Sequence, residues 1–189
     1  MKSMKLASAL TVAAVAGTVG LSSISANAAT APQNSTGKVT FTAGDLTLDQ
    51  VPNFDFGTQQ IKVQDQDYNA QSQSEVKVTD LRGSSAGWTV TVTAGKLKAG
   101  AKELAGAQVS LKNGTTANTN NETVTAPAAT LTPEQSVKVM NAAVGNGNGE
   151  TTGTWQNTDV ELHVPGASTK SAGQYTADLT WTLTDAPAP

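Results

Sequence analysis

The chain has 189 residues, a formal net charge of −3 and no cysteine. Without cysteine there can be no disulfide, thiol nucleophile, thiolate zinc site or attachment point for a bacterial lipid anchor. Its 12 basic residues are set against 15 acidic ones and form no cluster, which argues against nucleic acid as a partner.

The first predicted element is a secretory signal peptide over residues 1–28. Lys2 and Lys5 precede an apolar run from Leu6 to Leu21, and Ala26-Asn27-Ala28 fits a small-x-small cleavage site. The run is interrupted by Ser, Thr and Gly, and is short beside the ~20 apolar residues of a bilayer span. Cleavage after Ala28 leaves 189 − 28 = 161 residues and, with two lysines gone, a charge of about −5. No second apolar segment follows, so no membrane insertion is expected after cleavage. A chain secreted in this way stays at a cell surface only by binding something there. Residues 29–37, ATAPQNSTG, read as a flexible lead-in.

From residue 38 the dominant signal is period 2. KVTFT (38–42), QIKV (60–63), EVKVT (75–79), WTVTVT (88–93), QVSL (108–111) and VELHV (160–164) each alternate apolar with polar residues. Such alternation marks a half-buried strand. RGSSAG (82–87), KNGTT (112–116) and GNGNGETTG (145–153) supply turn residues between them. Around 133–143 two readings stand. Thr132, Pro133 and Gln135 suit the N-cap, N1 and N3 of a short helix, whereas SVKVM (136–140) alternates as a strand does. The last element, QYTADLTWTLT (174–184), sets Tyr175, Ala177, Leu179, Trp181 and Leu183 against a threonine-rich face.

Many short strands with Gly/Asn-rich connections predict an all-β, antiparallel β-sandwich of immunoglobulin-like or Greek-key type. The C-terminal strand is expected in the sheet interior. Trp88 and Val90, with Trp181 and Leu183, are expected in one core, the two tryptophans close together. Trp155 follows the glycine-rich segment with no alternating pattern before it. It is the candidate exposed tryptophan, serving either as a binding contact or as a cap on the sandwich end.

Little points to catalysis, and no enzyme, cofactor or metal site is expected. The single histidine, His163, falls on the outward side of its strand, and no nucleophile elbow accompanies it. Asp65 and Asp67 lack the glycine and distal glutamate of a calcium loop. Gly145, Gly147 and Gly149 miss the phosphate-loop spacing and read as a flexible loop. Arg82 is the only arginine. Its planar donor fork suits either a structural pair with Asp80 or Asp55, the favoured reading, or a clamp on a carboxylate of a wall polymer.

Two stretches, DLRGSSAGWTVTV (80–92) and YTADLTWTLTDAP (175–187), resemble the paired signature motifs of the WxL domain, a surface-associated domain of low-GC Gram-positive bacteria. The distal motif is complete at Trp181-Thr182-Leu183; the proximal one reads Trp88-Thr89-Val90, with Val in place of Leu. LTLDQVPNFDFG (46–57) and VPGASTKSAGQYTA (164–177) resemble further segments of the family, so the domain is taken as residues 38–189. The resemblance implies non-covalent attachment to the cell wall, with peptidoglycan as the usual proposed ligand. It also implies a second kind of partner, a larger membrane-anchored surface protein.

Overall fold

The computed structural model describes residues 32–187; the predicted signal peptide lies outside them. The chain divides into two compact units, Met1–Thr40 and Phe41–Pro189. In the first, residues 32–40 are exposed and form no regular secondary structure.

The second unit is all-β, with the single 3-10 turn Asn157–Asp159 as its only described helix. Fourteen described strands make three four-stranded antiparallel sheets and one small hairpin, packed as a β-sandwich. The first sheet has β1 (Leu46–Gln50), β3 (Ser74–Asp80), β12 (Gly149–Trp155) and β8 (Thr115–Asn118), in that spatial order. The second has β10 (Ala129–Leu131), β7 (Gln108–Leu111), β13 (Val160–Val164) and β2 (Gln66–Asn69). The third has β14 (Leu179–Thr184), β4 (Trp88–Ala94), β11 (Ser136–Ala142) and β9 (Val124–Thr125). β5 (Lys98–Ala99) pairs with β6 (Lys102–Glu103).

The core follows the alternation. On β3 the inward side chains are Ser74, Val76, Val78 and Asp80; on β4 they are Trp88, Val90, Val92 and Ala94. Met140 and Ala142 of β11 lie opposite Val90 and Trp88. Between Lys138 and Met140 the register shifts, and Val139 is the extra residue. A bulge of this kind lets two consecutive side chains, Val139 and Met140, both be buried.

One open alternative is decided and three expectations are corrected. No helix forms near 133–143. Glu134 takes a left-handed backbone (φ 68°) and donates its N–H to Ala94 O at 2.7 Å, which ends any helical path and delivers the chain into β11. The alternating stretches 38–42 and 60–63 form no strand. They find no ladder partner, and Val39, Phe41, Ile61 and Val63 stay exposed.

The segment 145–153 is a loop only as far as Asn148. From Gly149 it is β12, paired with both β3 and β8. Gly147, Gly149 and Gly153 serve close packing; a Cβ on Gly153, for example, would lie 2.6 Å from Met140 Sδ. Just before the strand, Asn148 is held through its backbone N–H and side-chain amide by Glu122 (2.7 and 3.0 Å) and through the amide by Ser85. Finally, among the described residues β14 is an edge strand, laddered to β4 alone and not interior.

Candidate functional site: a groove between two edge strands

β1 ends the first sheet and β14 ends the third. Between them runs a shallow groove with two depressions. One, of about 570 Å³, is lined by Leu46, Leu48, Arg82, Leu183, Thr184 and Asp185. The other, of about 330 Å³, is lined by Pro52, Phe54, Asp178, Leu179 and Trp181 among others. As residue numbers rise along β1 and its extension they fall along β14, so the two depressions lie end to end on one antiparallel seam.

The groove exists because β14 has only one neighbour. Its inward residues Leu179, Trp181 and Leu183 keep the strict phase and sit on Ala94, Val92 and Val90. With no strand beyond them they are only half-buried. The Trp181 ring meets Phe54 edge to face, centroids 6.4 Å apart at 64°, and Phe54 leans on Phe56 at 6.5 Å. These are favourable aromatic geometries. One side of the indole is thus packed while the groove side remains accessible.

Arg82 and Asp80 form the polar end. Asp80 closes β3 with its side chain 1% exposed, against 19% for Arg82. Arg82 Nε donates to Asp80 Oδ1 at 3.0 Å and Nη2 to Oδ2 at 2.8 Å, while the Arg82 backbone N–H also reaches Oδ1. Nη2 further donates to Gly87 O at 2.9 Å, tying the 82–87 turn to the entrance of β4. This bonding holds the Asp80 carboxyl below its ordinary range despite burial, and raises the guanidinium. Nη1, with a long 3.5 Å approach to Asp185 O, is the guanidinium edge turned to the groove. Arg82 therefore spends its fork on Asp80; what remains for a ligand is one N–H₂ edge.

The other sequence-flagged residues lie elsewhere. Trp88 is fully buried and donates its Nε1–H to Gly147 O at 3.0 Å; Val90 is fully buried beside it. Trp181 is opposite Val92, two inward positions along β4 from Trp88, and both face one core: Trp88 and Val90 are fully buried in it, whereas Trp181 and Leu183 are only half-buried against it. Trp155 is not exposed. It ends β12 at 1% exposure, its Nε1 donates to Lys112 O at 3.0 Å, and Gly114 packs so close to the ring that a Cβ there would fall 2.7 Å from Cε2. A donor partner and a glycine lid bury it without an apolar run in the sequence.

His163 Nδ1 lies 2.6 Å from Asp67 Oδ1 across the β13–β2 ladder, both side chains well exposed. Asp65 accepts the Gly166 N–H at 2.7 Å. Among the described residues no three of His, Cys, Asp or Glu gather as metal ligands. No described helix is long and apolar enough to cross a membrane.

Leu46, Leu48 and Phe54, which make the far wall of the groove, were not flagged as site residues by sequence. Their signal was available only as the stretch LTLDQVPNFDFG, whose two leucines alternate into β1.

An aromatic face, paired leucines, a guanidinium edge and two carboxylates at the ends line this groove. No curated protein and no solved structure gives a significant match to the chain. The family model described as WxL domain surface cell wall-binding matches residues 22–187. The family is one of wall binding and not of catalysis. The two tryptophan motifs, the sandwich that carries them in neighbouring strands and this match over nearly the whole chain agree: the protein belongs to the WxL domain family.

Proposed function

We propose that this protein is exported by residues 1–28 and attaches non-covalently to the cell wall through peptidoglycan, with the β1–β14 groove as the contact surface and no catalytic turnover. The observation that carries this is the state of the three tryptophans. Trp88 and Trp155 are sealed in the core, and only Trp181 offers its ring, beside Phe54 in a groove. Aromatic rings stack well on the apolar faces of sugars, and Asn53, Asp178 and the Arg82 edge supply polar contacts for hydroxyls and acyl groups. The family's wall-binding character agrees with that reading.

The test is co-sedimentation of the protein with purified peptidoglycan. Wild-type protein is expected in the pellet. Trp181→Ala is expected to reduce binding about tenfold or more while leaving a folded protein, because the ring is half-exposed. Recovery of wild-type protein wholly in the supernatant at low and moderate salt overturns the proposal. The alternative is docking on a membrane-anchored surface protein. The free edge of β14 favours that reading, since an extended segment can add to it. Binding to peptidoglycan with no other protein present decides for the first reading; binding only with the partner decides for the second.

A further inference from the structure

A sheet edge offers unpaired N–H and C=O groups, and folded proteins protect such edges with short length, bulges, lysine or proline. Other edges of this sandwich follow the rule. β9 has two residues, β10 three, β2 and β8 four; β1 has five and an irregular register at Leu48/Gln50. β14 does not. It has six residues, LTWTLT, in unbroken register with β4, with no lysine or proline, and its inward leucines and tryptophan are half-covered.

The chain also carries a matching strand without a sheet. Residues 38–42, KVTFT, alternate perfectly but have no secondary structure. Val39 is 73% and Phe41 89% exposed, an apolar pair that no other described residue covers.

We propose that the free edge of β14 receives residues 38–42 of a second copy of this chain, added as a strand, with Val39 and Phe41 set into the two depressions of the β1–β14 groove. Period 2 puts Val39 and Phe41 on one side, about 6.8 Å apart, the same spacing as Trp181 and Leu183. Charge agrees in either direction. By backbone position an antiparallel strand brings Lys38 to the Asp185 end of the groove and a parallel one to the Asp178 end, and each end carries a carboxylate.

The tether favours a second copy over the chain's own segment. Gly44 N–H donates to Leu81 O and Leu81 N–H to Asp45 O, so residues 44 and 45 already extend the β1–β3 ladder. Only Ala43 remains to reverse the chain toward a different sheet, less than the two-residue minimum of a tight hairpin. Reciprocal exchange closes a dimer; one-way donation builds chains. The inference does not rest on wall binding, although both use the same groove and would compete for it.

The test is sedimentation velocity of the intact protein from micromolar to millimolar concentration, with no wall material present. Concentration-dependent association is expected. Phe41→Asp is expected to weaken it about tenfold or more with unchanged thermal unfolding, because Phe41 is exposed in the single copy. An excess of the peptide GKVTFTA (residues 37–43) is expected to restore monomers. A scrambled peptide is expected to have no effect. Trp88 and Trp155 are already buried, so a blue shift in tryptophan emission on peptide binding would report Trp181. A protein that stays monomeric throughout overturns the inference, including the case of a segment folded back within one copy. Association that Phe41→Asp leaves unchanged overturns it equally.

Discussion

Replacing Arg82 by lysine keeps the charge and removes the fork, so it isolates what the guanidinium geometry contributes. Three charge-assisted bonds depend on that geometry: Nε to Asp80 Oδ1 at 3.0 Å, Nη2 to Oδ2 at 2.8 Å and Nη2 to Gly87 O at 2.9 Å. A lysine ammonium is a single point donor on a flexible stem and can satisfy about one of the three. The Asp80 side chain is 1% exposed, so water does not replace what is lost, although the Arg82 backbone N–H continues to serve Oδ1. Leaving a buried acceptor unpaired costs about 1–3 kcal/mol. Two lost bonds, partly offset by the retained charge, give roughly 2–4 kcal/mol for Arg82→Lys, against about 3–5 kcal/mol for removing one partner of a buried pair outright, as in Arg82→Met. In a domain of this size that corresponds to a drop in melting temperature of roughly 5–15 °C. Urea unfolding followed by tryptophan fluorescence reads the effect as a lower midpoint with an unchanged slope. An Arg82→Lys midpoint equal to wild type would refute the reasoning and leave the Nη1 edge in the groove as the reason for an arginine at this position.

Acid should unfold the protein along the same axis. Asp80 is held low by Arg82, and Asp49 by the hydroxyls of Thr47 and Thr79, so both carboxyls bind protons more weakly folded than unfolded. Their contribution is present above the unfolded value of 3.8 and is lost as pH falls through the depressed folded values. Urea midpoints should therefore drop below about pH 4, and less steeply in Arg82→Met, as a midpoint series across pH would measure. Trp155→Ala should cost about 3–5 kcal/mol in calorimetry and lower wall binding only in proportion to the unfolded fraction, because the ring is a core residue. Gly147→Ala should destabilise by about 3 kcal/mol or more in the same assay. Its Cβ would fall 2.5 Å from Trp88 Nε1 at a φ of 87°, which combines overpacking with left-handed strain beside a buried donor.

What the sequence reveals of this fold depends on how each strand is covered. β3, β4, β7 and β13 bury one face and leave the other partly covered, and β14 half-buries one face and exposes the other, so their alternation is legible. β12 is not, because its inward residues are Thr151, Gly153 and Trp155. Met140 leaves no room for a side chain at 153, and Thr151 Oγ1 accepts a bond from Asn118 Nδ2 at 2.8 Å. Close packing has replaced hydrophobicity there, and a glycine- and asparagine-rich segment reads as a loop. Residues 38–42 and 60–63 show the converse: alternation prepares a strand, but only a ladder partner makes one. The Asp80–Arg82 pairing is legible because it is local. The groove is not, because its walls come from strands whose edge positions are set by pairings far apart in sequence.

The two copies of the tryptophan motif show how position in a sheet divides one pattern into two roles. They lie on adjacent strands in a register that sets Val90 directly opposite Leu183, third residue against third residue. Because the strands are antiparallel, this pairing sends the two tryptophans to opposite ends. Trp88 goes under the 143–148 segment, where Gly147 covers its ring and accepts its N–H, and Trp181 goes toward Phe54. β4 has neighbours on both sides, so its motif is sealed, and the smaller β-branched Val90 fits a site with no exposure at all. Among the described residues β14 has a neighbour on one side only, so Leu183 stays half-buried and lines the groove together with Leu46 and Leu48 of β1. The Val-for-Leu departure in the proximal motif thus follows from burial at β4. The distal motif keeps the side chains that an edge strand can offer to a ligand.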